Sequence, residues 1–171
     1  MANSFGLVFW GLVLIGIDVR VGFDLLPDFI GYILVAIGCS RLGAASRRFP
    51  FTSNLAWIMV GLSLISIVMP GGVLSRLLYL VSALVDCGMM WQLLAGIIEL
   101  TEVKGRSDLA KDADRWRTAY MVIAVIGAVF VLLAVGSFLN ALLSLAYLVV
   151  VVLIVYLIHR VKLEVVEKVS I

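Results

Sequence analysis

Residues 141–158 read ALLSLAYLVVVVLIVYLI, a stretch without a single charged side chain. A helix needs about 20 predominantly apolar residues to cross the hydrocarbon core of a bilayer. Together with the residues just before it, the stretch reaches that length. Because a segment in lipid must satisfy its backbone hydrogen bonds internally, we predict a membrane-spanning α-helix over residues 139–158.

The composition of the whole chain points to the same solvent. The chain has 171 residues, 64% of them hydrophobic and 14% charged, and its mean hydropathy is +1.19. A soluble domain is roughly 45–50% apolar and about a quarter charged. Since so few polar residues cannot cover a surface in water, the apolar excess must face lipid. We therefore expect a single membrane domain over residues 1–171 with the lipid bilayer as its main partner.

Five further segments are apolar enough to be spans, although the first is short. They cover residues 5–19, 27–42, 55–70, 73–100 and 119–138. Pro27 and Asp28 suit the first turn of a helix, and Pro70-Gly71-Gly72 predicts a turn between the third and fourth segments. The predicted fold class is an all-α, polytopic transmembrane bundle of about six spans.

The basic residues predict the orientation of these spans. Eleven of the 13 Lys and Arg residues follow the second, fourth or sixth segment, and the other two are Arg20 and Arg76. Basic residues in short loops are retained on the cytoplasmic side. Six spans with both termini in the cytoplasm produce this asymmetry.

The polar connection 101–118 also carries a helical pattern. Ser107 suits an N-cap, so the helix of span five is expected to begin near Asp108. The residues that share one face of that helix are Leu109, Ala113, Trp116 and Tyr120. Helical spacing also predicts two ion pairs, Asp114 with Arg117 and Asp112 with Arg115.

Asp86 lies about twelve residues inside the fourth span, or about 18 Å from its start and near the bilayer midplane. A charged carboxylate there costs roughly 2.5–3.5 kcal/mol. The side chain must therefore face the bundle or a wet cavity, or stay protonated. One interpretation is a substrate, ion or proton site, with Ser82 on the same helical face. The alternative is an interhelical hydrogen bond, with the candidate partners Asn140, Tyr147 and Ser66.

Gln92 is a second polar residue in this span, placed four residues from both Gly88 and Gly96. Small residues at this spacing allow close helix packing, and the amide can bond across the interface. Packing is therefore favoured over binding, and Gln92 is kept as a candidate binding residue.

The connection between the first two spans concentrates charge in eleven residues. Its charged members are Asp18, Arg20, Asp24 and Asp28. A carboxylate across this hairpin can accept a bidentate bond from the Arg20 guanidinium. The group is interpreted either as a site for a cation or basic partner, or as an ion-pair lock of the hairpin. The lock is favoured because Gly22, Pro27 and Gly31 indicate a tightly specified turn.

The same stretch carries a family resemblance. Residues 22–34, GFDLLPDFIGYIL, resemble the first hairpin of a group of small, uncharacterised multi-spanning membrane proteins of Gram-positive bacteria. The resemblance covers about residues 18–45. It implies a bacterial plasma membrane, multi-pass location, and it brings no activity with it.

Several function classes are disfavoured by the sequence. The basic residues are spread over several loops and form no nucleic-acid-binding stripe. Common hydrolase, metalloprotease and phosphate-binding motifs are missing, and His159 is the single histidine. Cys39 and Cys87 have no C-x-x-C spacing, which argues against a metal site or disulfide framework. We therefore expect that the protein is not an enzyme and that it binds no cofactor or metal ion.

Two functions remain. The first is a small-solute or ion carrier, or the membrane-embedded substrate-binding subunit of a transporter, with its site at Asp86. The second is a non-catalytic membrane scaffold or accessory subunit that binds partner membrane proteins. Because so small a bundle has little room for a transport path, the carrier hypothesis also implies a homo-oligomer or a partner subunit.

Overall fold

Six α-helices account for most of the described chain. The structure is a computed structural model that describes residues 1–16, 20–21, 23–24, 28–68, 72–132 and 137–167, with the main chain alone at 20, 21, 23, 24, 131, 132, 137, 140, 166 and 167. The elements in chain order are α1 (Ala2–Gly16), β1 (Arg20–Val21), β2 (Phe23–Asp24), α2 (Asp28–Arg41), α3 (Arg48–Val68), α4 (Val73–Val103), α5 (Ser107–Leu132) and α6 (Ser137–Val161). A π-helical segment, Lys162–Glu167, continues α6.

The helix ends follow local chemistry. At the start of α2, Asp28 complements the positive end of the helix dipole. The residue before α4 is Gly72, whose φ of 129° is strained for any residue with a side chain. At the other end of α4, Gly105 has a φ of 69°. Its N–H donates to the Glu102 carbonyl, and the Arg106 N–H donates to the Thr101 carbonyl, which is a Schellman C-cap.

Two helices begin well before their apolar segments, and the sequence predicted one of these two early starts. The helix α3 begins at Arg48, seven residues before the predicted Leu55. Hydropathy alone missed these seven residues, because Thr52, Ser53 and Asn54 interrupt the apolar run. Before the helix, the Ser46 hydroxyl accepts a hydrogen bond from the Arg48 N–H at 3.1 Å, and Pro50 lies in the first turn, where no N–H is needed. The helix α5 begins at Ser107, as the pattern in residues 107–120 predicted.

The helices form a closed ring. Each helix packs against the next one in the chain, and α6 packs back against α1. The core of this ring contains large apolar side chains from all six helices, among them Phe5, Val35, Phe49, Leu93, Leu109 and Ile154. A ring arrangement gives every helix an inner face and an outer face.

Within the described residues, three helical segments are long and apolar enough to cross a membrane, judged by length and composition, which is fewer than the six spans that the sequence predicted. These are Arg48–Val68, Val73–Val103 and Ala141–Val165, the last of which includes part of the π-helical segment. Large apolar side chains are exposed along the outer faces of the ring, including Leu64, Ile65, Leu84, Val125, Leu145 and Val152. The all-α, membrane-helix class predicted from the sequence is confirmed, with a two-residue ladder as the sole β-structure in the described chain.

The pair α1 and α2 is packed through glycines. A Cβ atom on Gly11 would lie 2.6 Å from the Gly31 carbonyl oxygen, and one on Gly31 would lie 2.8 Å from the Gly11 carbonyl oxygen. Gly38 is equally close to the backbone of α1, at 2.8 Å from the Ser4 carbonyl oxygen. Close backbone approach of this kind lets two helices of 15 and 14 residues make a large contact over a short length.

Candidate functional site

The Asp86 carboxylate is the centre of a polar cluster inside the ring. It accepts a hydrogen bond from the Tyr120 hydroxyl of α5. The Tyr120 hydroxyl is also 3.2 Å from the Tyr147 hydroxyl of α6, and the two rings are 5.6 Å apart. The Tyr32 side chain of α2 interacts with the same carboxylate. We call Asp86, Tyr32, Tyr120 and Tyr147 the Asp86 cluster.

Local sequence explains why these side chains meet. Tyr120 belongs to the face of α5 that the sequence predicted, and it is 1% exposed, while Leu109 and Ala113 on the same face are fully buried. Tyr32 follows Asp28 by four residues and so lies one turn further along the same face of α2. Asp86 occupies the inner side of α4, thirteen residues after Val73 and about 20 Å along the helix.

The Asp86 cluster contains an acidic group and no basic group among the described residues. Its members are a carboxylate and three phenols, and no basic side chain among the described residues pairs with Asp86. The charge of Asp28 also acts on Asp86 and on Tyr32. Among the described residues, the hydrogen-bond donors to an ionised Asp86 are therefore the hydroxyl groups of Tyr120 and Tyr32.

Hydroxyl partners can serve both protonation states of a carboxyl group. A phenol O–H donates to an ionised carboxylate and accepts from a protonated one. Tyr120 can exchange its two partners, because its hydroxyl can donate either to Asp86 or to Tyr147. The cluster can thus adjust when Asp86 gains or loses a proton, or when a cation replaces that proton.

Of the three hydrogen-bond partners that the sequence suggested for Asp86, one lies in the Asp86 cluster. Tyr147 joins the cluster through Tyr120. Ser66 is exposed and donates to the Ser63 carbonyl of its own helix, and the Asn140 side chain lies outside the described ones. Sequence reasoning missed Tyr32 and Tyr120 as partners. The signal that could have found Tyr120 was its position on the predicted buried face of α5.

Ser82 is partly buried one turn before Asp86 and makes no side-chain hydrogen bond among the described residues. Gln92 is not part of the Asp86 cluster. Its Oε1 accepts a hydrogen bond from Arg48 Nη1 at 3.1 Å, and the neighbouring Gly96 packs against the Phe49 ring. Gln92 therefore makes the bond across a close helix interface that its spacing predicted.

Arg48 organises a second polar group at the end of the bundle where α3 begins. Its Nε donates to Glu99 Oε1 at 2.6 Å, and the Ser46 hydroxyl donates to Glu99 Oε2 at 2.6 Å. We call Ser46, Arg48, Gln92 and Glu99 the Arg48 network. It holds the end of α4 against the start of α3.

A third polar group, the tail network, connects the start of α5 to the end of α6. It consists of Arg106, Asp108, Asp112, Arg160 and Glu164. Glu164 is bound by Arg106 and, at 3.0 Å, by Arg160 Nε. The Arg106 guanidinium holds the pKa of the Asp108 carboxyl at about 2.

The ion pairs predicted for α5 are half right. Asp114 pairs with Arg117 as expected. Asp112 does not pair with Arg115, because its carboxylate is 3.5 Å from Arg160 Nη1 on α6. The Arg115 guanidinium stacks over the Trp116 ring instead. Tertiary contact with α6 thus replaced the local pair.

The charged hairpin between α1 and α2 is described in part. Arg20 and Asp24 are register partners of the β1–β2 ladder, and Asp28 is the first residue of α2. Asp18 lies outside the described residues, as do the side chains of Arg20 and Asp24.

No protein-family model, curated protein or solved structure matches the chain. The assignment of a function therefore depends on the geometry of the chain itself. Within the described residues, no group of three or more His, Cys, Asp or Glu side chains is arranged to hold a metal ion. The Asp86 cluster is the candidate site.

Proposed function

We propose that the chain crosses a bacterial plasma membrane six times, with both termini in the cytoplasm. Three of the described helices are long and apolar enough to cross a membrane, which supports the membrane location. The shorter α1 and α2 span about 21–23 Å each, which a locally thinned bilayer accommodates. The bacterial location is supported by the resemblance of residues 18–45 alone.

The positions of the charged groups support the proposed orientation. The Arg48 network involves the start of α3 and the end of α4, and the tail network involves the start of α5 and the end of α6. In an antiparallel ring these four helix ends lie on one side of the membrane. That side carries most of the Lys and Arg residues and is the cytoplasmic one by the positive-inside rule.

We further propose that the protein is a carrier of a small cationic solute or ion, or the membrane-embedded substrate-binding subunit of a transporter. The observation that carries this proposal is a carboxylate inside the ring, contacted by hydroxyl groups and by no basic side chain of the described chain. An ionised group at this depth is stabilised most by a proton or a bound cation. Asp86 would supply the charge, and Tyr32 and Tyr120 would supply oxygen ligands.

Asp28 indicates the side from which the site is reached. It is the first residue of α2, next to the charged hairpin and one helical turn from Tyr32. Two carboxylates in succession favour a cation over an anion along this path. Asp18, Arg20 and Asp24 would then belong to the outer entrance, and Ser82 to the wall of the site. A ring this small leaves little room for a complete path, so the proposal includes a second copy or a partner subunit.

The test is a thermal-shift screen of the purified protein against ions and small metabolites across pH. A ligand at a hundred times its Kd stabilises the folded state by about 2.7 kcal/mol. We expect a ligand that stabilises the wild type and fails to stabilise Asp86→Asn. Glu102→Gln, which removes an exposed carboxylate outside the site, is the matched control and should keep the response.

The alternative function is a non-catalytic scaffold or accessory subunit that binds partner membrane proteins. The direct bond from Tyr120 to Asp86 favours it, because a carboxyl group can be retained simply to hold α4 against α5. In that case no ligand shifts the wild type, and Asp86→Asn changes stability little because an amide preserves the hydrogen bond. This result would replace the carrier proposal with the scaffold.

A further inference from the structure

An open groove of about 410 Å³ lies between the start of α3 and the last third of α4. It is lined by Arg47, Arg48, Phe51, Gln92 and Glu99. The groove is separate from the Asp86 cluster, and its Arg and Glu residues lie at the helix ends that the proposed orientation places at the cytoplasmic surface. The inference drawn from it rests on that orientation and not on transport.

Most of the charge in the groove is already compensated. Glu99 accepts hydrogen bonds from Arg48 Nε and from Ser46, at 2.6 Å each. This pairing neutralises Arg48 and holds its guanidinium in place. Arg47 is exposed and has neither an ion pair nor a side-chain hydrogen bond among the described residues. The groove therefore carries one uncompensated positive charge.

The groove also has an apolar wall. The Phe51 side chain, in the first turn of α3, is 53% exposed. The helix α3 as a whole, Arg48–Val68, is apolar enough to cross a membrane. In the proposed threading its first turn, with Phe51, lies at the cytoplasmic boundary between headgroups and acyl chains. A guanidinium beside an aromatic ring at this level matches a phosphate group joined to a hydrocarbon chain.

We propose that this groove binds the headgroup of an anionic phospholipid from the cytoplasmic leaflet. The Arg47 guanidinium binds the phosphate through paired N–H···O bonds. Arg48, fixed by Glu99, lines the headgroup position, and Phe51 contacts the glycerol and upper acyl region. Basic pockets between transmembrane helices are a common form of anionic-lipid site. A free phosphate ion shares part of this chemistry and must be distinguished by experiment.

The experiment measures lipid binding to the delipidated full chain by native mass spectrometry and thermal shift. The probes are phosphatidylglycerol, phosphatidylcholine with the same acyl chains, and inorganic phosphate. Wild type should retain phosphatidylglycerol in preference to phosphatidylcholine. Arg47→Gln should weaken phosphatidylglycerol binding about fivefold, the effect of one Arg at an anionic surface.

Two variants sharpen the test. Arg41→Gln removes an exposed Arg at the end of α2 that does not line the groove, and it should leave binding unchanged. Glu99→Gln retains a hydrogen-bond acceptor for Arg48 but removes the compensating charge, so phosphatidylglycerol should bind about fivefold more tightly. Asp86→Asn should bind the lipid as wild type does, which separates this proposal from the carrier proposal.

Three results would overturn the lipid assignment. One is equal retention of phosphatidylglycerol and phosphatidylcholine by wild type. Another is an equal loss of binding in Arg47→Gln and Arg41→Gln. The third is stabilisation by inorganic phosphate as large as that by the lipid, which would make the groove a site for a soluble anion.

Discussion

At the scale of single residues, Asp86 is energetically unfavourable in a bilayer and is stabilised by a hydrogen bond from a neighbouring helix. A charged carboxylate near the middle of a bilayer costs roughly 2.5–3.5 kcal/mol on insertion scales. The protein reduces that cost with the hydroxyl of Tyr120 from the neighbouring helix. Tyr120 therefore contributes to stability through Asp86, and this contribution can be measured separately from any ligand.

Tyr120→Phe removes one hydroxyl and leaves the ring that packs in the core. Because the lost hydrogen bond is made to a group that can carry charge, we expect a loss of about 1.5–3 kcal/mol in the free energy of unfolding in detergent. In the background of Asp86→Asn the same substitution should cost less, since the partner is then neutral.

Tyr156→Phe is the control for this cycle, because Tyr156 lies on the same ring of helices with its side chain exposed. Removal of the exposed Tyr156 hydroxyl should change the free energy of unfolding by less than about 0.5 kcal/mol. Equal losses for Tyr120→Phe in the presence and absence of the Asp86 carboxylate would show that the two residues are not coupled.

At the scale of elements, the contact between α1 and α2 depends on glycines, which have no side chain to separate the two helices. A Cβ atom on Gly38 would lie 2.8 Å from the Ser4 carbonyl oxygen and 3.0 Å from the Val8 nitrogen, both of which are backbone atoms. Backbone cannot rotate away as a side chain can. The two helices must therefore separate if Gly38 becomes larger.

We expect Gly38→Ala to lower the stability by about 1–3 kcal/mol, the usual cost of overpacking a tight interface. The matched control is Gly6→Ala in α1, since nothing lies within 4 Å of a Cβ atom at Gly6. This control should be neutral or stabilising by up to about 1 kcal/mol, because Ala favours the helix. Thermal unfolding in detergent compares the two, and equal behaviour would contradict the packing described for α1 and α2.

At the scale of the whole molecule, closure of the ring by α6 and α1 brings both ends of the described chain to one side. The tail network joins the α6 end to the start of α5. In the proposed threading of six spans, this side is the cytoplasmic one. The proposed threading therefore predicts which surface positions a membrane-impermeant reagent can reach.

Single cysteines can test this threading in a background where Cys39 and Cys87 are replaced by Ala. Ala44→Cys and Lys104→Cys, both at exposed positions near helix ends, should react only after the cells are opened. Leu74→Cys, exposed at the opposite end of α4, should react in intact cells. Labelling of Lys104→Cys from outside intact cells would refute the orientation and with it the cytoplasmic lipid site.

The helices were predictable because their signals are local. Apolar length predicted an all-α membrane protein, and Pro27-Asp28 and Gly72 marked helix starts that the structure places at Asp28 and Val73. The pattern in residues 107–120 predicted both the early start of α5 and its buried face. The early start of α3 was missed because Thr52, Ser53 and Asn54 interrupt the apolar run, and hydropathy does not register an N-cap such as Ser46.

The class of the protein, the order of its helices and the depth of Asp86 along α4 could all be predicted from the amino-acid sequence. These properties depend on composition, spacing and caps within one segment. The tertiary structure was needed to show that Asp86 accepts a hydrogen bond from Tyr120, which is 34 residues away. It was also needed to show that Asp112 forms an ion pair with Arg160 rather than with Arg115. The physical reason is that such contacts depend on the rotation and tilt of whole helices, which are set by packing around the closed ring.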